Sequence, residues 1–257
     1  MKFVRFEAHG ETAYGSVEGE MVRQMTASPF EEYQVTDHAH PLSHVKLLAP
    51  VMPRKIVAIG LNYKSHLGDR KPPEVPEPFF KTSSSVIAPE EHIVIPKEAI
   101  EGSLNVQEEA ELTVVIGRGC KRATKADALS YVLGYTCGND VSARPWQSND
   151  LQWWRGKSSD TFAPLGPYIV TDLDPSNLRI SARINGRTVQ DATTADLIHD
   201  VPSIIEFVSR AMTLEPGDVI MTGTPGQPED IHPGDSVEIE IEGVGVLRNP
   251  VRAEQPA

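Results

Sequence analysis

With 257 residues, 39% of them hydrophobic and 23% charged, the chain has material for a sizeable core, in one large domain or in a main domain with a small appendage. Its 36 acidic against 24 basic residues leave a net charge of −12, a surface that repels phosphate backbones and argues against nucleic acid as a partner. No apolar run approaches the length needed to cross a bilayer, so no membrane partner is expected.

The start, MKFVRFEAHG, lacks the apolar stretch and small-residue cleavage site of a signal peptide. Cys120 and Cys137 show no metal-site spacing and are too few for a disulfide framework, although a single bridge stays open. A reducing cytoplasm is the expected compartment.

In chain order, residues 1–26 read as three short strands, KFVRFE, TAYGSVEG and EMVRQM, punctuated by Gly10, Gly15 and Gly19. Residues 27–50 are polar and carry His38, His40 and His44. No carboxylate or thiol cluster joins these imidazoles and Pro41 interrupts them, so a solvated loop is expected rather than a metal site. A boundary near Pro50 or Pro53 divides a small N-terminal β domain, 1–50, from a larger domain, 51–257.

KIVAIGL reads as a buried strand, and NYKSHLGD after it as a helix start with Asn62 as cap. RKPPEVPEP is too rich in proline for a helix or an inner strand and is expected to be a loop. FFKTSSSVI, HIVIP and LTVVIG follow as extended pieces. KADALSYVLGYTCG places apolar residues at helical spacing and predicts a helix running out near Tyr135. PYIVT and LRISARING are strands, the second ending in the tight turn Asn185-Gly186. VPSIIEFVSRAMT is an amphipathic helix, and DVIMTG, DSVEIEIEGVG and VGVLRNPV close the chain as strands. Many strands and few helices, without regular βαβ alternation, define a β-rich mixed α/β fold rather than a doubly wound one.

The stretch NVQEEAELTVVIG opens an apolar strand with Glu108, Glu109 and Glu111. Alternation along a strand puts Glu109 and Glu111 on one face and Ala110 on the other. A solvated strand end explains such a pair; a buried one needs a compensating cation. A third converging acid decides between the two, and Asp140, in GYTCGNDVSARPWQ, is the candidate. Three carboxylates without thiol or clustered imidazole suit Mg²⁺ or Mn²⁺. Lys157 and Lys81 are candidates to hold a substrate carboxylate near such an ion. Trp146, Trp153 and Trp154 are expected in the core or on a dimer surface. TGTPG lacks the lysine and following helix of a phosphate loop.

The segments KIVAIGLNYKSHLGD, EEAELTVVIG, GYTCGNDVSARPWQ, RGKSSDTFAPLGPYIVT, INGRTVQDATTADLIHDVPSIIEFVS and LEPGDVIMTGTPGQ, in this order, resemble the fumarylacetoacetate hydrolase family, in the branch of bacterial hydrolases, isomerases and decarboxylases of 2-oxo acids. The resemblance spans roughly residues 53–252, and the strands before residue 50 are similar to the short N-terminal domain that many members carry. It implies a mixed β-sandwich roll, commonly a homodimer. It also implies Mg²⁺ or Mn²⁺ at Glu109, Glu111 and Asp140, and a catalytic pair formed by His66 and Asp69. Members often carry glutamate where this chain has Asp69. Lys157 is expected at the reacting end, with Lys81, Arg144, Gln147 and Thr224 binding substrate or bracing the metal acids.

A 2-oxo acid can chelate one ion through its carboxylate and adjacent carbonyl, and the ion then stabilises the enolate common to several reactions. C–C hydrolysis of an acylpyruvate is the first expectation, because Asp69 at i+3 can orient His66 as a base toward water if the segment is helical. Decarboxylation of oxaloacetate or a related diacid, isomerisation of 2-hydroxyhepta-2,4-diene-1,7-dioate, and a non-catalytic metal-binding scaffold remain alternatives. RKPPEVPEP, beside the histidine turn, is placed to act as a lid.

Overall fold

A strand buried on both faces must find neighbours on both edges, and the long apolar runs of this sequence do so in one large sheet. The computed structural model describes residues 1–255. Its strands are β1 (Lys2–Ala8), β2 (Glu11–Glu18), β3 (Met21–Met25), β4 (Val35–Pro41), β5 (Lys46–Leu48), β6 (Ile56–Gly60) and β7 (Glu77–Lys81). Then come β8 (Val86–Ile87), β9 (Ile93–Ile95), β10 (Val106–Gln107), β11 (Ala110–Ile116), β12 (Val132–Asn139), β13 (Ser142–Ala143) and β14 (Ala163–Val170). The last are β15 (Arg179–Ile184), β16 (Arg187–Thr193), β17 (Val219–Met221), β18 (Ser236–Ile241) and β19 (Gly245–Ala253). The helices are α1 (Lys97–Glu101), α2 (Arg144–Asn149), α3 (Trp154–Ser158) and α4 (Val201–Ala211), the last capped by the Asp200 carboxylate on the Ser203 amide at 2.9 Å.

The large sheet runs β4-β3-β2-β1-β14-β12-β11-β17-β6-β7, with β5 on β1 and β8 on β14; a second sheet runs β16-β15-β18-β19-β9. The two pack face to face as a mixed β-sandwich, as expected. Leu112 and Val114 of β11 and Cys137 of β12 meet Ile180 of β15, Ile239 of β18 and Leu247 of β19 in the main core, which also takes Ile204 and Val208 of α4. Burying each such side chain stabilises the fold by about 1.5–3 kcal/mol. β1 pairs with β14 through Lys2↔Val170 and Phe3↔Ile169, so the first strands extend the large sheet. Cys120 and Cys137 are free thiols, and no helix among the described residues is long and apolar enough to cross a membrane.

Three local expectations are overturned. The helix predicted across KADALSYVLGYTCG is a 3₁₀ turn at Ala128–Tyr131 followed by β12. Here sheet pairing outweighs apolar spacing, because β12 is bonded on both edges, to β11 and to β14. Two glycines that would weaken a helix permit this: a Cβ on Gly134 would lie 2.4 Å from the Val170 carbonyl oxygen, and one on Gly138 would lie 2.2 Å from Thr113 Oγ1. The loop expected around DHAHPLSH is largely β4, an edge strand on β3. The helix start at NYKSHLGD is one 3₁₀ turn, Lys64–His66, flanked by left-handed Leu61 (φ 58°) and Gly68 (φ 57°). Asn62 does not cap it; its buried amide instead donates to the carbonyls of Thr222 (2.7 Å) and His199 (3.0 Å).

Gly134→Ala is expected to lower the free energy of unfolding by about 1–3 kcal/mol through overpacking against the β14 backbone. Gly119→Ala, whose nearest neighbour is the Leu214 carbonyl oxygen at 3.8 Å, should change it little. Urea denaturation of the two variants measures the difference.

Candidate active site

The register of β11 on β12 sets Ala110 opposite Asn139, which brings the residue before one strand beside the residue after the other. The Asp140 amide donates to the Glu109 carbonyl at 3.0 Å, and the Glu109 amide donates to Asn139 Oδ1 at 2.9 Å. As a result Glu109, Glu111 and Asp140 converge, with carboxylate oxygens within 4.8 Å of one another and all three residues buried. They face a cavity of about 490 Å³ that is also lined by His66, Arg70, Arg144, Gln147, Lys157 and Thr224.

Burial of this much charge is answered by cations from three other elements. Lys157, on α3, donates to Glu109 Oε2 at 2.7 Å and to Asp140 Oδ2 at 2.6 Å. Lys81, at the end of β7, donates to Asp140 Oδ1 at 2.5 Å and also to the Lys157 carbonyl. Arg144 reaches Glu109 Oε1 at 2.5 Å, Gln107 Oε1 at 2.6 Å and Gln147 Oε1 at 3.0 Å. Burial works to raise the Glu109 carboxyl, but Lys157 and Arg144 more than offset it and hold the group below its ordinary value. Burial lowers the Lys81 ammonium, whereas at Lys157 the charges of Asp140 and Glu109 overcome burial and raise it.

Glu111 is different. Its Oε2 accepts from the Gly223 amide at 2.7 Å, and no cation among the described residues forms an ion pair with it. Burial, then the charges of Asp140 and Glu109, push its carboxyl well above the usual carboxylate range. A donor set of three hard oxygens, one of them lacking positive charge, fits a divalent cation.

His66 is oriented by a carbonyl. Its Nδ1 lies 2.8 Å from Gly226 O. A carbonyl only accepts, so the hydrogen sits on Nδ1 and Nε2 is left for chemistry. Nε2 lies 4.0 Å from Glu109 Oε1, and the ring keeps 18% of its surface exposed. The Gly226 amide in turn donates to Ser65 Oγ at 2.9 Å, clipping the histidine turn to the TGTPGQ turn.

The structure therefore gathers eight of the ten residues singled out from sequence at or directly lining the cavity. The other two sit elsewhere. Asp69 is exposed and outside the lining, because the turn is not a helix and Gly68 redirects the chain. Lys81 stands behind Asp140 as a brace rather than facing the cavity. Arg144, with all three of its nitrogen positions engaged, braces Glu109 and Gln147. Of the tryptophans, Trp146 is buried beneath the Arg155 guanidinium and Trp154 is 64% exposed, but Trp153 lines the cavity with its ring 5.1 Å from that of Phe79.

Sequence reasoning missed Glu108, Arg70 and Gln190. Glu108 is fully buried, and burial pushes its carboxyl up to about 8; alternation alone separates it from the Glu109 face. Gln190 is the single fully buried side chain of β16, a polar residue facing inward where its neighbours are exposed or half-buried.

A family model described as fumarylacetoacetate (FAA) hydrolase C-terminal matches residues 55–252, and one described as Rv2993c-like, N-terminal matches residues 1–50. The chain belongs to the fumarylacetoacetate hydrolase family. Within that family it is similar to the crystal structure of a 5-carboxymethyl-2-hydroxymuconate delta-isomerase from Mycobacterium smegmatis, with a TM-score of 0.93 and 42% identity over 99% of this chain and 100% of that one. It is 39% identical to oxaloacetate tautomerase Fahd2a, mitochondrial, of Rattus norvegicus, over 96% of this chain and 79% of the relative. A maleylpyruvate hydrolase from Sphingobium sp. SYK-6, solved in complex with manganese(II) ion and pyruvate, aligns at 29% identity and a TM-score of 0.83, over 99% and 100% of the two chains. Family membership and the carboxylate triad make this chain an enzyme of 2-oxo acids with a group of acids able to chelate a divalent metal.

Manganese(II) at a hundred times its dissociation constant is expected to stabilise the protein by about 2.7 kcal/mol, read as a rise in melting temperature. Glu111→Gln should abolish that rise and Asp69→Asn should leave it intact.

Proposed function

We propose that the protein is a Mg²⁺- or Mn²⁺-dependent isomerase that interconverts the keto and enol forms of a 2-oxo dicarboxylic acid, with oxaloacetate as the reference substrate. The observation that carries this reading is the setting of His66. Its Nδ1–H is held by Gly226 O, its Nε2 faces the triad, and among the described residues no carboxylate bonds to Nδ1.

A histidine so held can take a proton from carbon at Nε2 and return it. In the keto-to-enol direction the C3–H bond breaks and its electron pair forms the C2–C3 double bond. The carbonyl pair moves onto the C2 oxygen. His66 Nε2 takes the proton from C3 and returns it to that oxygen, so no water is consumed and His66 ends as it began. Bound at Glu109, Glu111 and Asp140, the ion would polarise the 2-oxo group and share the negative charge that develops there. Gln147 and Thr224 line the cavity with groups able to orient the substrate carboxylate.

Charge supports the same reading. The three acids face three cations, Lys81, Lys157 and Arg144, and their formal charges cancel. A divalent ion then leaves the site doubly positive, which matches a carboxylate joined to an enolate. The relatives lean the same way: those named as a tautomerase and as a delta-isomerase are 39% and 42% identical, against 35% for a fumarylacetoacetate hydrolase from Exiguobacterium antarcticum and 29% for the maleylpyruvate hydrolase. Hydrolysis of an acylpyruvate, the first expectation from sequence, loses its support where Asp69 stands away from His66.

With Mn²⁺, the wild-type enzyme should speed the decay of enol-oxaloacetate absorbance in stopped flow. His66→Asn should slow this by about 10²–10⁴ while retaining manganese binding, and Asp69→Asn should change it little. An undiminished rate in His66→Asn, or acylpyruvate cleavage faster than tautomerisation, rejects the assignment.

A further inference from the structure

Between the acid-bearing strand and the TGTPGQ turn lies one buried amide, on Gln190. Its Oε1 accepts from the Ala110 amide at 2.9 Å. Its Nε2 donates to the Pro225 carbonyl at 2.5 Å and to Thr224 Oγ1 at 2.9 Å. The Ala110 amide can only donate and the Pro225 carbonyl can only accept, so the Gln190 side chain is held in one orientation and cannot be flipped. Its second N–H therefore points at Thr224 Oγ1 as a donor.

That contact has a chemical consequence for Thr224. The threonine oxygen is already accepting, so its own hydrogen must turn elsewhere. Thr224 lines the cavity beside Glu109, Glu111, Asp140 and Lys157, and among the described residues its hydroxyl donates to no protein acceptor within hydrogen-bonding distance. We infer that Gln190 is a positioning residue that presents the Thr224 O–H to the cavity as a donor for a carboxylate oxygen of the substrate. Resting on the reading of the cavity as a 2-oxo acid site, it adds the polarity of one hydrogen bond to that reading. Gln190 also ties β11, which carries Ala110 between the two glutamates, to the turn whose Gly226 carbonyl orients His66.

Gln190→Glu tests the inference because it keeps the shape and reverses the hydrogen bond to Thr224, while also losing the one to the Pro225 carbonyl. A carboxylate at this position still accepts from the Ala110 amide. It also accepts from the Thr224 hydroxyl, which turns that hydrogen away from the cavity. Calorimetric titration of pyruvate into the manganese-loaded protein is the readout, alongside titration of manganese alone. Gln190→Glu should weaken pyruvate binding by about ten- to a hundredfold, as expected for a lost hydrogen bond to a charged group, and Thr224→Val should do the same. The double variant should be no weaker than Thr224→Val, since both changes remove one interaction. Manganese affinity should stay within the scatter of the wild type.

A Gln190 that acted only through charge or through the fold would weaken pyruvate again in the Thr224→Val background, and that additivity overturns the inference. Gln190→Met keeps the volume without donor or charge and serves as a second arm; its loss of affinity should likewise vanish in the Thr224→Val background. Wild-type binding of pyruvate with an unaffected Gln190→Glu overturns the assignment of Gln190 alone. Failure of the wild-type chain to bind pyruvate overturns the reading of the cavity, and the role of Gln190 with it.

Discussion

Three carboxylates buried together cannot persist without positive charge, and the architecture around them supplies it. Glu109 and Asp140 share Lys157, Asp140 also holds Lys81, and Glu109 also holds Arg144. Because these cations come from α3, β7 and the start of α2, the ion-pair network fastens three peripheral elements to β11 and to the turn after β12. Removing one member of a buried pair costs about 3–5 kcal/mol, mostly the penalty of leaving its partner uncompensated. The same network leaves Glu111 without an ion pair among the described residues, so the capacity to chelate a divalent ion follows from how the neighbouring charges are paired.

The charge of the cavity differs from that of the surface. The chain as a whole carries −12, whereas the cavity lining sets Lys157, Arg144 and Arg70 against Glu109, Glu111 and Asp140. A bound divalent ion would turn that balance positive and favour an anionic ligand at this one opening. The histidine turn and the TGTPGQ turn are joined by two hydrogen bonds, His66 to Gly226 and Gly226 to Ser65, which hold the His66 ring at the same opening. The loop beyond is anchored as well: His199 Nε2 lies 3.1 Å from the Pro73 carbonyl oxygen, and the His199 amide donates to Asn62 Oδ1 at 2.8 Å.

What could be read directly from the residues was governed by short-range rules. Strand alternation separated Glu109 and Glu111 from Ala110, and the apolar run after them announced a buried strand. Asn185-Gly186 announced its turn, with positive φ at both residues, and the 201–211 amphipathic pattern announced α4. Asp140 was named as the candidate third acid from residue type, and the family resemblance then implied the same ligand set. The β-rich mixed architecture also followed from the count and spacing of apolar runs, because burial of a strand face depends on its own sequence.

The remaining features depended on partners far away in the chain. Val132–Asn139 has helical apolar spacing and became a strand because two neighbouring strands and two glycines allowed close backbone approach. Asp69 was paired with His66 on the assumption of a helix, and a left-handed Gly68 took it into solvent. Lys81 was read as a substrate ligand, but its ammonium lies behind Asp140, a contact across 59 positions. Gln190 had no sequence signal beyond one polar residue on the inward face of a strand; its meaning comes from Ala110, 80 positions before it, and Thr224, 34 after. Sequence by itself determined which side chains had the chemistry for a hard cation, since that depends on residue type and local periodicity, and the resemblance it carries implied a 2-oxo acid. Only the tertiary structure decided which of them face the cavity, which brace it and which point away, because hydrogen-bond polarity and charge pairing are set by neighbours that the linear order does not bring together.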